Sequence, residues 1–253
     1  MPVTHKPFSA VLFDLDGTLI DTTQSILESF KHTIFYFTGT VPQEDEIRPY
    51  MGLPLTDQFS ILLPGKEEEA CKIYVEHNTA IHPEYVKAYP GVSETLKILR
   101  NSGVRLGLVT SKRRPTAVLG LTIAGIQDSF HATVFYEDTD RHKPHPAPIL
   151  KTLEIMACNE PDWYSSDNLR ILVVGDSPTD IKAAKNAQVA LRKFSSNTQQ
   201  AAILRPEVKI QSAGVTYGAY RKEDIEKEKP DYLITDITQV LDLLGLNQKY
   251  DSQ

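Results

Sequence analysis

Apolar residues in this chain gather in short continuous runs, at Ala10–Phe13, Val104–Val109, Ala132–Phe135, Leu169–Val174 and Tyr232–Ile234. Runs of that length, bounded by polar or turn residues, read as strands buried on both faces of a parallel sheet. Between them the period changes. Val92, Leu96 and Leu99 share one helical face, and Pro115–Ala124, Ile149–Met156, Ile181–Ala187 and Ile237–Leu244 follow the same spacing. Strands alternating with helices predict an α/β, Rossmann-like parallel sheet covered on both sides.

The stretch from Thr22 to His82 breaks this rhythm. Ile26, Phe30, Ile34 and Phe37 form one helical face that stops at Gly39 and Pro42. Glu44–Met51, Leu55–Leu63 and Lys66–Ile81 read as further helices, divided by Gly52, Pro54, Pro64 and Gly65. No strand pattern interrupts them. The sequence therefore predicts a core of residues 1–20 and 88–253 and a small all-helical domain, 21–87, inserted after the first strand. Its connections, Leu19–Thr22 and Pro83–Pro90, are short enough to hinge it over a site. The segment Leu191–Ser212 is polar, with Ser195 to Gln200 its centre. It reads as a surface excursion with a helix from Gln199 to Leu204.

Composition adds exclusions. With 253 residues the chain has room for one large domain and a smaller one. A formal net charge of -6 argues against a nucleic-acid partner. No apolar stretch approaches the roughly 18 residues of a membrane span. Met1–Ser9 has no signal-peptide core. Cys71 and Cys158 are isolated, which suits a reducing cytoplasm and two inert thiols.

The candidate chemistry lies where the strands end. Asp14 and Asp16 follow the first strand, and Gly17 allows a sharp turn before Asp21 or Thr22 caps the next helix. Two carboxylates at a strand end repel unless a cation or proton intervenes, and hard oxygen ligands suit Mg²⁺. Thr110 and Ser111 follow the second strand, Lys143 stands in the loop after the third, and Asp176 and Asp180 follow the fourth. Each has an ordinary explanation by itself: a polar turn, a surface lysine, a helix cap. In a parallel sheet, however, all these ends meet at one edge. The set can hold a metal, neutralise a phosphoryl group and present a carboxylate nucleophile.

In this order the residues resemble the four motifs of the haloacid dehalogenase superfamily of phosphohydrolases. They are Asp14-Leu15-Asp16-Gly17-Thr18, Thr110, Lys143, and Gly175-Asp176-Ser177-Pro178-Thr179-Asp180. The helical insert is similar to the family's C1 cap. Thr110-Ser111-Lys112 and Ala213-Gly214-Val215-Thr216-Tyr217-Gly218 resemble the phosphoglycolate phosphatase and pyrophosphatase subgroup. The resemblance implies that Asp14 attacks phosphorus and that Asp16 acts as acid and then base. It implies that Thr110, Ser111 and Lys143 bind the phosphoryl group, Lys143 also orienting Asp14. Asp176 would bind Mg²⁺ with Asp14 and the main-chain carbonyl of Asp16, and Asp180 would support the metal.

The expected activity is Mg²⁺-dependent hydrolysis of a small phosphorylated metabolite. A sugar phosphomutase of the β-phosphoglucomutase type is the alternative, but Thr22-Thr23-Gln24-Ser25 lacks that branch's His-Arg pair, and His32 is only a late substitute. A non-catalytic binding protein on this fold would be expected to have lost a catalytic aspartate; none is lost. For substrate selection in the cap the sequence offers Arg48 and the turn Gly52-Leu53-Pro54-Leu55.

Overall fold

A computed structural model describes residues 7–51, 53–164, 168–193, 205 and 207–246. In chain order the elements are β1 (Ala10–Phe13), β2 (Ile20–Asp21), α1 (Thr23–Thr38), α2 (Glu44–Ile47), α3 (Leu55–Leu62), α4 (Glu67–Tyr85) and β3 (Lys87–Ala88). There follow α5 (Val92–Asn101), β4 (Arg105–Val109), α6 (Arg114–Ile123), β5 (Ala132–Val134), α7 (Ala147–Asn159) and α8 (Pro161–Tyr164). The chain continues through β6 (Arg170–Gly175), α9 (Pro178–Lys193), β7 (Lys209–Val215), α10 (Lys222–Lys227), β8 (Tyr232–Ile234) and α11 (Gln239–Leu243). Among the described residues no helix is long and apolar enough to cross a membrane.

The main sheet has six strands in the order β5-β4-β1-β6-β7-β8, and every pairing is parallel. β1 is central. Its four residues are fully buried and alternate between two layers: Val11 and Phe13 join one apolar cluster, Ala10 and Leu12 the other. Helices on both faces complete the α/β fold.

The sheet has one strand more than the pattern predicts. β7 starts at Lys209, inside the segment read as an excursion, and pairs with both β6 and β8. Gln211 and Ser212 disguise it. Ser212 is buried because its N–H and Oγ both donate to Asp231 Oδ2, at 2.8 and 3.0 Å. A polar residue satisfied in this way takes a core position that an apolar pattern cannot reveal. The helix expected over 199–204 lies outside the described residues.

The insert packs on its own apolar cluster, with Phe30 at its centre. Its ring centroid lies 5.2 Å from that of Phe59 and 4.8 Å from that of Tyr74. Gly39, with φ +68°, ends α1; Thr22 stands at its N-cap without a side-chain bond, and Asp21 Oδ1 accepts the N–H of Thr23 at 3.1 Å. α4 runs past its expected end at Ile81 and through Pro83 to Tyr85. The two connections pair as an antiparallel ribbon, β2 with β3.

Candidate active site

The carboxyl ends of β1, β4 and β6 lie side by side, and the residues that follow them converge. Lys143 Nζ stands 2.6 Å from Asp14 Oδ1, 2.6 Å from Asp180 Oδ1 and 3.2 Å from the carbonyl of Val109. Oxygen atoms of Asp14, Asp176 and Asp180 lie within 4.8 Å of one another, and all three residues are buried. Three carboxylates against one ammonium leave two negative charges unmatched.

That imbalance shows in the proton affinities. Burial pushes the Asp14 carboxyl up to about 7; Lys143 opposes this, while Asp180 and Asp16 add to it. Burial, then the charges of Asp14 and Asp180, hold Asp176 well above the ordinary carboxylate range. Burial alone would weaken the charge on Lys143, but Asp14 and Asp180 outweigh it and raise its pKa.

The carboxylates differ in what their oxygens do. Asp180 closes its own helix: Oδ2 accepts the N–H of Ser177 at 3.0 Å and its Oγ–H at 2.6 Å, and Oδ1 takes Lys143. This reciprocal cap is the ordinary role that its place three residues after Ser177 allowed. Asp176 Oδ2 accepts the N–H of Ala219 at 2.8 Å. Among the described residues no donor reaches Asp14 Oδ2 or Asp176 Oδ1. Glycines make room for this set. A Cβ on Gly17 would lie 2.1 Å from Asp176 Oδ2, and one on Gly218 would lie 2.3 Å from Asp176 Cβ. Two oxygens without a donor, on buried residues that line the cavity, beside two unmatched negative charges fit a divalent cation with hard-ligand preference.

The carboxylate of Asp16 stands apart from this group. Its Oδ1 and Oδ2 lie 3.0 and 3.2 Å from Lys112 Nζ. Lys112 thus holds both side-chain oxygens of Asp16, which leaves the expected metal contact of this residue to its main-chain carbonyl. Lys112, to which the sequence analysis assigns no role, is the main residue missed. Its signal was its place directly after Thr110 and Ser111 at a strand end. Thr110 is buried, and its Oγ1 accepts the N–H of Lys112 at 3.1 Å.

Asp14, Asp16, Thr110, Ser111, Lys143 and Asp176 all line one cavity of about 160 Å³. The insert roofs it with Ile26, Met51, Leu53, Leu55, Tyr74 and Val75, a largely apolar ceiling to which Thr22, Thr23, Thr56, Gln58 and Asn78 add polar groups. Arg48 is not brought there. Its guanidinium pairs with Glu44 Oε2 at 2.7 Å, four residues back on the same surface, and is 43% exposed. The nearby carboxylate claims it, so its expected role at the substrate is withdrawn. His32 stacks on His77, with ring centroids 4.1 Å apart, and does not line the cavity. Residue 52 of the turn lies outside the described residues.

Comparison with known proteins agrees with this geometry. Residues 11–192 match the family described as haloacid dehalogenase-like hydrolase. The pyrophosphatase PpaX of Halalkalibacterium halodurans is 33% identical over 242 residues, spanning 95% of this chain and 99% of its own. Among solved structures, a predicted phosphoglycolate phosphatase from Haemophilus somnus has a TM-score of 0.70 at 24% identity, covering 94% of this chain and 99% of that one. CbbY from Rhodobacter sphaeroides in complex with phosphate has a TM-score of 0.72 at 18% identity, covering 94% and 100%. The fold is shared with these structures, and the family match spans the strands and loops that carry the four motifs. This chain belongs to the haloacid dehalogenase-like hydrolases.

Proposed function

We propose that the protein is a Mg²⁺-dependent phosphatase that hydrolyses a small phosphorylated metabolite through an aspartyl-phosphate on Asp14. The observation that carries this reading is the pair of unmatched negative charges at open oxygens of Asp14 and Asp176. Asp14 and Asp176 would hold the ion, with the main-chain carbonyl of Asp16, and Asp180 would support them. Bound there, Mg²⁺ would offset the charge of an incoming phosphate and polarise its oxygens.

The residues divide the rest of the work. Lys143 fixes the Asp14 carboxylate and presents positive charge to the phosphoryl oxygens, which Thr110 and Ser111 bind as hydroxyl donors. A carboxylate oxygen of Asp14 bonds to phosphorus as the bond to the leaving oxygen breaks, and Asp16 gives that oxygen a proton. Water then attacks phosphorus, Asp16 takes back a proton, and the bond to Asp14 breaks to release phosphate. The apolar ceiling excludes bulk water from the charged floor, which strengthens each of these interactions. The core sees only the phosphoryl group, so the insert acts as a cap that limits the leaving group to a small one.

The likeness to PpaX favours inorganic pyrophosphate as substrate, with phosphoglycolate next. No observation favours the mutase reading: Thr22 and Thr23 line the cavity at the start of α1, and neither can manage a phosphorylated intermediate as a His-Arg pair would. The test is phosphate release from pyrophosphate, phosphoglycolate, sugar phosphates and nucleotides, with Mg²⁺ and with EDTA. Metal-dependent release from one compound well above the rest is expected, and Asp14→Asn should abolish it while the fold survives. Substantial Mg²⁺-dependent turnover by Asp14→Asn would overturn the mechanism.

A further inference from the structure

The loop after β7 touches both the carboxylates and the cap. Its base is pinned to the core. Tyr217 Oη–H donates to the carbonyl of Thr18 at 2.8 Å, and its ring packs edge-on against Tyr89 at 4.8 Å. Gly218 lies so close to Asp176 that no Cβ fits there, and the Ala219 N–H holds Asp176 Oδ2 at 2.8 Å. The next residue reaches across. Tyr220 Oη–H donates to the carbonyl of Met51, and Ala219 packs against the apolar cluster of the cap. Met51 is itself buried in that cluster and faces the cavity. Among the described residues, no other hydrogen bond joins core and cap away from the two connecting segments.

We propose that Tyr220 is a positioning residue that holds the cap shut over the carboxylates and ties its closure to the state of Asp176. The connection is short. An ion that orders Asp176 orders the Ala219 amide bound to it, and Tyr220 is the adjoining residue. Opening the cap must break the bond from Tyr220 to Met51 and loosen the grip on Ala219. The coupling is reciprocal: what closes the cap also stiffens Asp176. This inference builds on the metal reading above.

The test uses the full chain and amide hydrogen exchange of the peptide containing Met51, followed by mass spectrometry. Tyr220→Phe keeps the ring and removes only the hydroxyl. Without metal, that peptide should exchange about fivefold faster in the variant, the size of effect one net hydrogen bond carries, while β1 and β6 exchange as before. KM should rise by a similar factor because fewer molecules start closed, and kcat should stay within about twofold. Adding Mg²⁺ alone should slow exchange around Met51 in the wild type and do so much less in Tyr220→Phe. Equal exchange in the two metal-free proteins would overturn the latch. Mg²⁺ that raises the wild-type Tm yet leaves exchange around Met51 unchanged would overturn the coupling. Mg²⁺ that leaves the Tm itself unchanged would count against the metal reading, and the metal-free comparison would still decide the role of Tyr220.

Discussion

Lys112 Nζ faces both carboxylate oxygens of Asp16, at 3.0 and 3.2 Å, from a side chain only 10% exposed. The contact joins the turn after β4 to the turn after β1. In the mechanism proposed above, it aims the carboxylate that protonates the leaving oxygen. Lys112→Met should therefore lower kcat about tenfold or more, within the range that positioned proton transfer contributes, and change KM less. Steady-state phosphate release with saturating Mg²⁺ measures both. An unchanged kcat would separate this ammonium from the chemistry.

Gly17 joins a backbone requirement to an electrostatic one. Its φ is +79°, and an added Cβ would sit 2.1 Å from Asp176 Oδ2. Gly17→Ala should cost about 1–2 kcal/mol from the left-handed backbone alone. It should also displace Asp176, so the gain in Tm on adding Mg²⁺ should shrink or vanish. Urea titration and thermal melts with and without Mg²⁺ would show the two effects separately. A variant that keeps the full Mg²⁺-induced gain would contradict this account of the carboxylate cradle.

Arg48 gives a prediction opposite to the one its charge suggests. It is held by Glu44 on the outer surface of the cap and does not line the cavity. Arg48→Ala should leave KM and kcat within about twofold of wild type, as ordinary surface substitutions do. A large rise in KM on the best substrate of the screen would return Arg48 to the site.

His82 should make the fold sensitive to acid. It is wholly buried on α4; Nδ1 stands 2.7 Å from the carbonyl of Asn78, and among the described residues Nε2 has no hydrogen-bond partner. Burial, and then the charge of Lys112, lowers its pKa below 6.5. The unfolded chain thus binds this proton more readily than the folded one. The stability that depends on a neutral His82 is complete above pH 6.5 and is lost as pH falls from there through the folded value. His82→Leu should flatten the dependence of unfolding free energy on pH below about 6.5 by up to one proton. Urea melts across that interval test it, and an identical slope in the variant would show that other groups carry the acid sensitivity.

Much of this protein is legible in one dimension because its signals are local. A four-residue apolar run such as Ala10–Phe13, too short for a helix and followed by a polar turn, reads as a buried strand. The period of Ile26, Phe30 and Ile34 specifies a helix and the face it buries. Asp14, Thr110, Lys143 and Asp176 announce themselves as polar groups at strand ends, and a parallel sheet must bring such ends to one edge. β7 escaped because Ser212 is buried on the strength of a hydrogen bond to Asp231, nineteen residues away.

What only the tertiary structure decided is which charge meets which. Lys112 and Arg48 are both cations near promising motifs. Folding gave one to Asp16 across 96 positions of sequence and left the other to a glutamate four residues away. The division of labour among the carboxylates came the same way, Asp180 closing its own helix while Asp176 received an amide from Ala219. Periodicity follows from where each side chain points relative to its own backbone. A salt bridge, an amide lent to a carboxylate or a tyrosine crossing to a cap follows from distances that exist only after the sheet has been assembled.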